Sequence, residues 1–283
     1  MKAIDVHAQH ARCIDVASPR PSESELLVEV LYAGVFLDDA SPGNQGCGRV
    51  VMDPLDEVAP ETMVAWSEAP GLIAEHVVVD RNRVVAVSDA IPPQVAASML
   101  RPGIAADYAL FELLDLVQGE AIVVTEANSP IGLYAIALAR KRDVIVYAVS
   151  GTSEGQRAAR SAGATAVFGN DVRSVSEIMA LNDGIGVDAM MISQSALDSG
   201  FARDVGRSSA RTCFYEDLAS IRVDTNEFRK HAQAVTRMLE DVRWQPPVEL
   251  LESLDEADPL SHESAAPPHQ SRLAAIHVRG CSH

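Results

Sequence analysis

The sequence predicts an α/β protein in which a doubly wound parallel sheet is joined to a β-rich, barrel-like unit. Three observations predict it. Between Pro92 and Ile192 short apolar runs alternate with helical periodicity, which makes a parallel sheet covered on both faces. Residues 1 to about 95 carry short strands divided by turn clusters, and the last segment returns to that texture.

In the first part, Glu25 to Tyr32 alternates Leu27, Glu29 and Leu31 against Val28, Val30 and Tyr32. Further strands are expected at Gly48 to Met52, Thr62 to Trp66, Ile73 to Val79 and Arg83 to Val87, with Ser41-Pro42-Gly43-Asn44 and Ala69-Pro70-Gly71 as turns. Pro93 to Leu110 has helical spacing that Pro102-Gly103 is expected to break. Later, Ser153 can cap a helix ending at Gly163, Thr165 to Phe168 makes a strand, Val175 to Leu181 a helix and Val187 to Ile192 a strand. Phe228 to Val242 reads as an amphipathic helix, Pro247 to Leu251 and Arg272 to Val278 as strands, and Asp255 to Gln270 as polar chain without assigned chemistry.

The stretch from Ala121 to Ala148 reads as strand, tight turn, helix, strand. The run Ala121 to Val124 is apolar, and Ile131, Ala135, Leu138 and Ala139 share a helix face. In the turn Glu126-Ala127-Asn128-Ser129-Pro130-Ile131-Gly132, Pro130 suits the first helical position, where its missing N–H would have no partner in any case. A helix start of this kind points free N–H groups and a positive dipole end at the turn, which suits a phosphate. With one glycine where a GxGxxG has three, a dinucleotide site and an ordinary βαβ unit both remain open.

Lys plus Arg number 23 against 40 Asp plus Glu, a net charge of −17. That balance argues against nucleic acid and anionic membrane and leaves a small molecule as the expected partner. No apolar run approaches a membrane span and the N-terminus lacks the apolar core of a signal peptide, so a cytoplasmic location is expected. Cys13, Cys47, Cys213 and Cys281 lie far apart without a CxxC pair, so neither a zinc lobe nor a disulfide framework is expected.

The chain resembles the medium-chain dehydrogenase/reductase superfamily, and within it a shortened, divergent member of the zinc-independent quinone oxidoreductase and enoyl-thioester reductase branch. The matching phrases are Leu27-Val28-Glu29-Val30 with Ala33-Gly34-Val35, Pro42 to Gly48, Ala69-Pro70-Gly71 with Ala74 to Val79, Gly103 to Leu110, Ala127 to Gly132, Ser161-Ala162-Gly163-Ala164 and Gly186-Val187-Asp188. The resemblance implies a GroES-like β-barrel catalytic domain over 1–95 and 244–283 and a Rossmann dinucleotide-binding domain over 96–243. In the zinc branch a cysteine follows Ala-Gly-Val and a histidine follows Pro-Gly. This chain has Phe36 and Asn44 there, with Gln45 where a glutamate is usual, so no metal is expected.

For the cofactor, the resemblance implies binding by Asn128, Ser129, Pro130, Ile131 and Gly132, with Ser193 near the nicotinamide. An acid about 20 residues past the glycine turn would mark NAD. Ser150-Gly151-Thr152-Ser153 stands there instead, with Arg157 and Arg160 farther on. Hydroxyls and a cation suit the 2′-phosphate of NADP, while a solvated helix face would also account for both arginines.

Three departures bear on activity. Only Phe36 to Ser41 separates Ala33-Gly34-Val35 from Pro42-Gly43, where relatives have a long wall of the active site. Ser193-Gln194-Ser195-Ala196 replaces glycines, and the stretch after Leu218 is trimmed. The tyrosine that enoyl reductases use falls in the lost loop. The remaining candidates for catalysis are Asp38, beside Asp39 where the wall begins, and Asp107 with Tyr108, in the segment that borders the nicotinamide in relatives. An acid in a cleft can donate a proton; an exposed helical Asp is the blander, favoured account of Asp107. His76 reads as packing.

Two function classes follow: an NADPH-dependent, metal-free reductase of a quinone or activated double bond, or a repurposed relative that cyclises, isomerises or only binds a ligand. Relatives pair through an edge strand of the nucleotide domain, and Val187 to Ile192 is read as that edge, which leaves a homodimer open.

Overall fold

The computed structural model describes residues 1–5, 12–36, 44–69, 73–218, 221–241, 244–251 and 273–278. The chain divides into two compact units, the first built from residues up to Arg101 and from Val223 onward, the second from Pro102 to Arg222.

The first unit opens with β1 (Lys2–Asp5), β2 (Arg12–Asp15), β3 (Glu25–Phe36), β4 (Gln45–Met52), β5 (Met63–Trp66), β6 (Ile73–Ala74), β7 (His76–Asp80) and β8 (Val84–Ala86). Strand β3 organises it. Its first half pairs with β7 and its middle with β4, and Leu26, Val28 and Val30 are buried on the face that alternation predicts. Those side chains join Val50, Val64, Trp66, Val77 and Val79 in one core.

Helix α1 (Pro93–Tyr108) begins after β8 and runs through Pro102 without a break. The expected interruption at Pro102-Gly103 does not occur. Proline there removes one rung of the helical ladder, but Pro102, Gly103, Ile104, Ala105 and Ala106 are all buried, and packing outweighs the lost hydrogen bond. A five-residue π-helical turn, Ala109–Leu113, follows directly.

The second unit contains β9 (Ala121–Val124), α2 (Pro130–Lys141), β10 (Ile145–Val149), α3 (Ser153–Ala162), β11 (Ala166–Phe168), α4 (Val172–Leu181), β12 (Val187–Ile192), α5 (Gln194–Asp198), α6 (Phe201–Val205), β13 (Gly206–Phe214) and α7 (Tyr215–Leu218). The five strands are parallel in the order β11-β10-β9-β12-β13. Ala121, Val123, Tyr147 and Val149 share a core with Ile178 of α4 and Val205 of α6 on one face. On the other, α2 packs against β9 and β10, and α3 against β10 and β11. This is the doubly wound sheet the sequence predicts.

Strand β12 lies between β9 and β13, so it is not the sheet edge it was expected to be. Its burial on both sides explains its apolar run. The edge on this side is β13, whose polar Arg207-Ser208-Ser209 carries no strand signal in the sequence.

Helix α8 (Thr225–Glu240) starts at a capping box of Asp224 and Glu227. It groups with the first unit, which moves the second boundary from the expected 243/244 to 222/223. Within that unit Arg83 donates to the Val223 carbonyl at 3.0 Å and lies over the Phe228 ring. Strands β14 (Glu249–Leu251) and β15 (Leu273–His277) then pair in parallel, and β15 adds antiparallel to the second half of β3. Among the described residues no helix is long and apolar enough to cross a membrane.

Candidate functional site

In an open parallel sheet the strand order reverses at one point, and the loops leaving the strands there diverge to form a crevice. Here that point lies between β9 and β12. The loops at the carboxyl ends of β9, β10, β12 and β13 therefore define the candidate site.

The β9–α2 turn is tied to its neighbours. Thr125 N–H donates to the Met191 carbonyl at 3.0 Å and Ala127 N–H to the Val149 carbonyl at 3.2 Å, so the turn is held from β12 and from β10. Glu126 sits at φ 49°, a left-handed conformation that costs a residue with a side chain about 1 kcal/mol or more. Its carbonyl accepts from Ser129 N–H at 2.8 Å, and Ser129 Oγ caps α2 by accepting from Gly132 N–H at 3.0 Å. Pro130 has no N–H, so the Ile131 amide is the first of the α2 donors without a partner inside the helix.

Gly132 makes the turn possible. A Cβ there would stand 2.7 Å from the Glu126 carbonyl oxygen, 3.0 Å from Ser129 Oγ and 3.1 Å from the Tyr215 hydroxyl. The cradle at the start of α2 therefore exists only with glycine at this position, and its small residues fit a pyrophosphate approaching the backbone.

The end of β10 packs against this turn. Ser150 Oγ donates to Asn128 Oδ1 at 3.2 Å, and Gln156 Nε2 donates to the Ser150 carbonyl at 3.0 Å. Thr152, not Ser153, caps α3, its Oγ1 accepting from Gly155 N–H at 3.1 Å, while Gly163 closes the helix at φ 102° as expected. A side chain at position 155 would come within 2.3 Å of Ser150 Oγ and 2.7 Å of Asn128 Cβ, so Gly155 lets the two turns meet. From β12, Ser193 N–H donates to Thr125 Oγ1 at 3.3 Å and Ser193 Oγ lies 2.9 Å from Ser195 Oγ.

Asn128, Ser129, Pro130, Ile131, Gly132, Ser150, Thr152 and Ser193 thus gather at one edge of the sheet, with Arg157 exposed one turn into α3. Thr125, Gly155, Gln156 and Tyr215 belong to the same constellation and carry no motif that would have revealed them.

Asp107, a candidate for catalysis, lies apart from this turn. Asp107 is 1% exposed, so it is not the exposed helical Asp of the simpler expectation. Its carboxylate is 3.7 Å from the Arg142 guanidinium, which stacks 3.5 Å over the Phe111 ring. A nearby cation is what allows a carboxylate to be buried. Arg142 follows the last residue of α2, and a 12-residue helix is about 18 Å long, so Asp107 is held at the end of α2 remote from the Ser129 to Gly132 turn. Tyr108, half-buried, ends α1. Asp38 and Asp39 lie outside the described residues.

No protein-family model matches the chain. The "Probable quinone oxidoreductase" of Schizosaccharomyces pombe is 27% identical over 207 residues, covering 64% of this chain and 63% of that protein. The chain therefore spans less than two thirds of this curated relative. Among solved structures, a probable oxidoreductase from Mycobacterium abscessus superposes with a TM-score of 0.80 at 18% identity, covering 98% of both chains. At this level of identity the likeness shows a shared fold that extends over nearly the whole chain. A mycobacterial protein complexed with NADPH shares the fold at a TM-score of 0.76 and 20% identity, over 98% of this chain and 99% of that one. Of the two positions at which the sequence resemblance would put zinc ligands, Phe36 is the last residue of β3 and Asn44 stands just before β4.

Proposed function

We propose that the chain is an NADPH-dependent, zinc-independent reductase of a quinone or an activated carbon–carbon double bond. The observation that carries this reading is the β9–α2 turn, a glycine-dependent cradle at the switch point of the sheet with the Ile131 N–H and the dipole of a 12-residue helix behind it. NADPH is bound in one of the solved structures of similar fold.

NADPH would supply the hydride; the protein holds and orients it. In this reading Ile131 N–H and the start of α2 take the pyrophosphate. Thr152 keeps a hydroxyl hydrogen to donate, because its oxygen is the acceptor in the α3 cap, and with Arg157 it faces the 2′-phosphate. Ser150 acts through Asn128, and Ser193 orders the end of β12 beside Thr125. With Asp107 held by Arg142, water supplies the proton.

The test is NADPH consumption by the full chain with p-benzoquinone and, separately, with an enoyl thioester. Turnover of either with NADPH is expected, and the faster of the two names the substrate class. Saturable NADPH binding with no turnover of any such acceptor would support the repurposed relative instead.

A further inference from the structure

Tyr215, the first residue after β13, is 2% exposed, and its hydroxyl donates to the Thr125 carbonyl at the end of β9. Strands β13 and β9 are not neighbours in the sheet, because β12 lies between them. The side chain therefore spans the end of β12 to reach the cradle, where its hydroxyl lies 3.1 Å from where a Cβ at position 132 would stand.

We propose that the Tyr215 hydroxyl is a positioning residue for the dinucleotide, fixing the peptide between Thr125 and Glu126 so that the turn presents the Ile131 N–H to a pyrophosphate. This rests on the reductase reading.

The Thr125 carbonyl and the Glu126 N–H belong to one rigid plane, so the direction of that carbonyl and the φ of Glu126 change together. Glu126 is left-handed at φ 49°, and rotating the plane would relieve it. Rotation would also break the Tyr215 bond and leave a buried carbonyl without its donor. The hydroxyl thus opposes the relaxation of a strained turn. Glu126 accepts from Ser129 N–H, Ser129 caps Gly132, and the orientation set at Thr125 is passed to the start of α2. Burial pushes the Tyr215 phenol well above its ordinary range and Glu126 adds in the same direction, so it remains a donor at neutral pH.

Tyr215→Phe keeps the ring and removes the hydroxyl. Calorimetric titrations of wild type and variant with NADPH and with adenosine 2′-monophosphate, which lacks the pyrophosphate, separate positioning from general damage. NADPH is expected to bind about tenfold more weakly to the variant, with adenosine 2′-monophosphate changed by no more than about twofold. In a Glu126→Gly background, where the left-handed conformation is nearly free, the loss of NADPH affinity should shrink to about threefold. That pair also serves if Tyr215→Phe alone fails to fold. Equal NADPH affinity in wild type and variant, or equal weakening of both ligands, would overturn the inference with the reductase reading intact. A wild-type protein that binds no NADPH would overturn both.

Discussion

A Gly132→Ala variant is expected to stay folded and to bind NADPH roughly thirtyfold more weakly than wild type, a loss of about 2 kcal/mol. The added methyl would meet the Glu126 carbonyl oxygen at 2.7 Å, where ordinary contact needs about 3.4 Å or more. Neither party yields freely, since that carbonyl is fixed by Ser129 N–H at 2.8 Å and the helix backbone fixes position 132. The turn must open. Alanine is favoured over glycine in a helix by about 1 kcal/mol, which offsets part of the crowding in the stability while doing nothing for the cradle. Affinity and stability should therefore separate: titration shows the loss, and a thermal melt shows a midpoint within a few degrees of wild type. Unchanged NADPH affinity would mean that the start of α2 is not where the cofactor binds.

In the first unit, Gly48→Ala is expected to destabilise by roughly 3 kcal/mol. A Cβ at position 48 would stand 2.1 Å from the Glu29 carbonyl oxygen in the partner strand and 2.8 Å from Val28 Cγ1. Gly48 pairs with Val30 beside a register shift in the β3–β4 ladder, so relief means parting the two longest strands of the curled sheet. Both tryptophans, Trp66 and Trp244, belong to this unit, and their fluorescence during urea unfolding reports it separately from the parallel sheet. A loss below about 1 kcal/mol would show that β3 and β4 adjust more easily than close packing suggests.

Much of the second unit is legible in the sequence because its signals are local. Ala121 to Val124 is a buried central strand and reads as a continuous apolar run; Pro130 at the first helical position and Gly163 at the left-handed stop act through their own backbones. What the sequence conceals depends on partners distant along the chain. Asp107 is buried because Arg142 reaches it, and α1 survives Pro102 because its flanks are packed. The polar β13 is a strand because β12 offers it an edge, and Tyr215 becomes part of the cradle only when β13 brings it to Thr125. The Thr152 cap was missed for a smaller reason: two hydroxyl residues stand side by side, and only backbone geometry selects between them.

In the proposed reductase the carboxyl edge of the parallel sheet binds a phosphorylated dinucleotide through the start of α2 and the loop after β10. Calorimetric titration of the wild-type chain with NADPH and with NADH tests it most directly. Saturable binding of one NADPH per chain is expected, about tenfold tighter than NADH because Thr152 and Arg157 meet the 2′-phosphate. No heat of binding at millimolar NADPH, or equal affinity for the two dinucleotides, would contradict it.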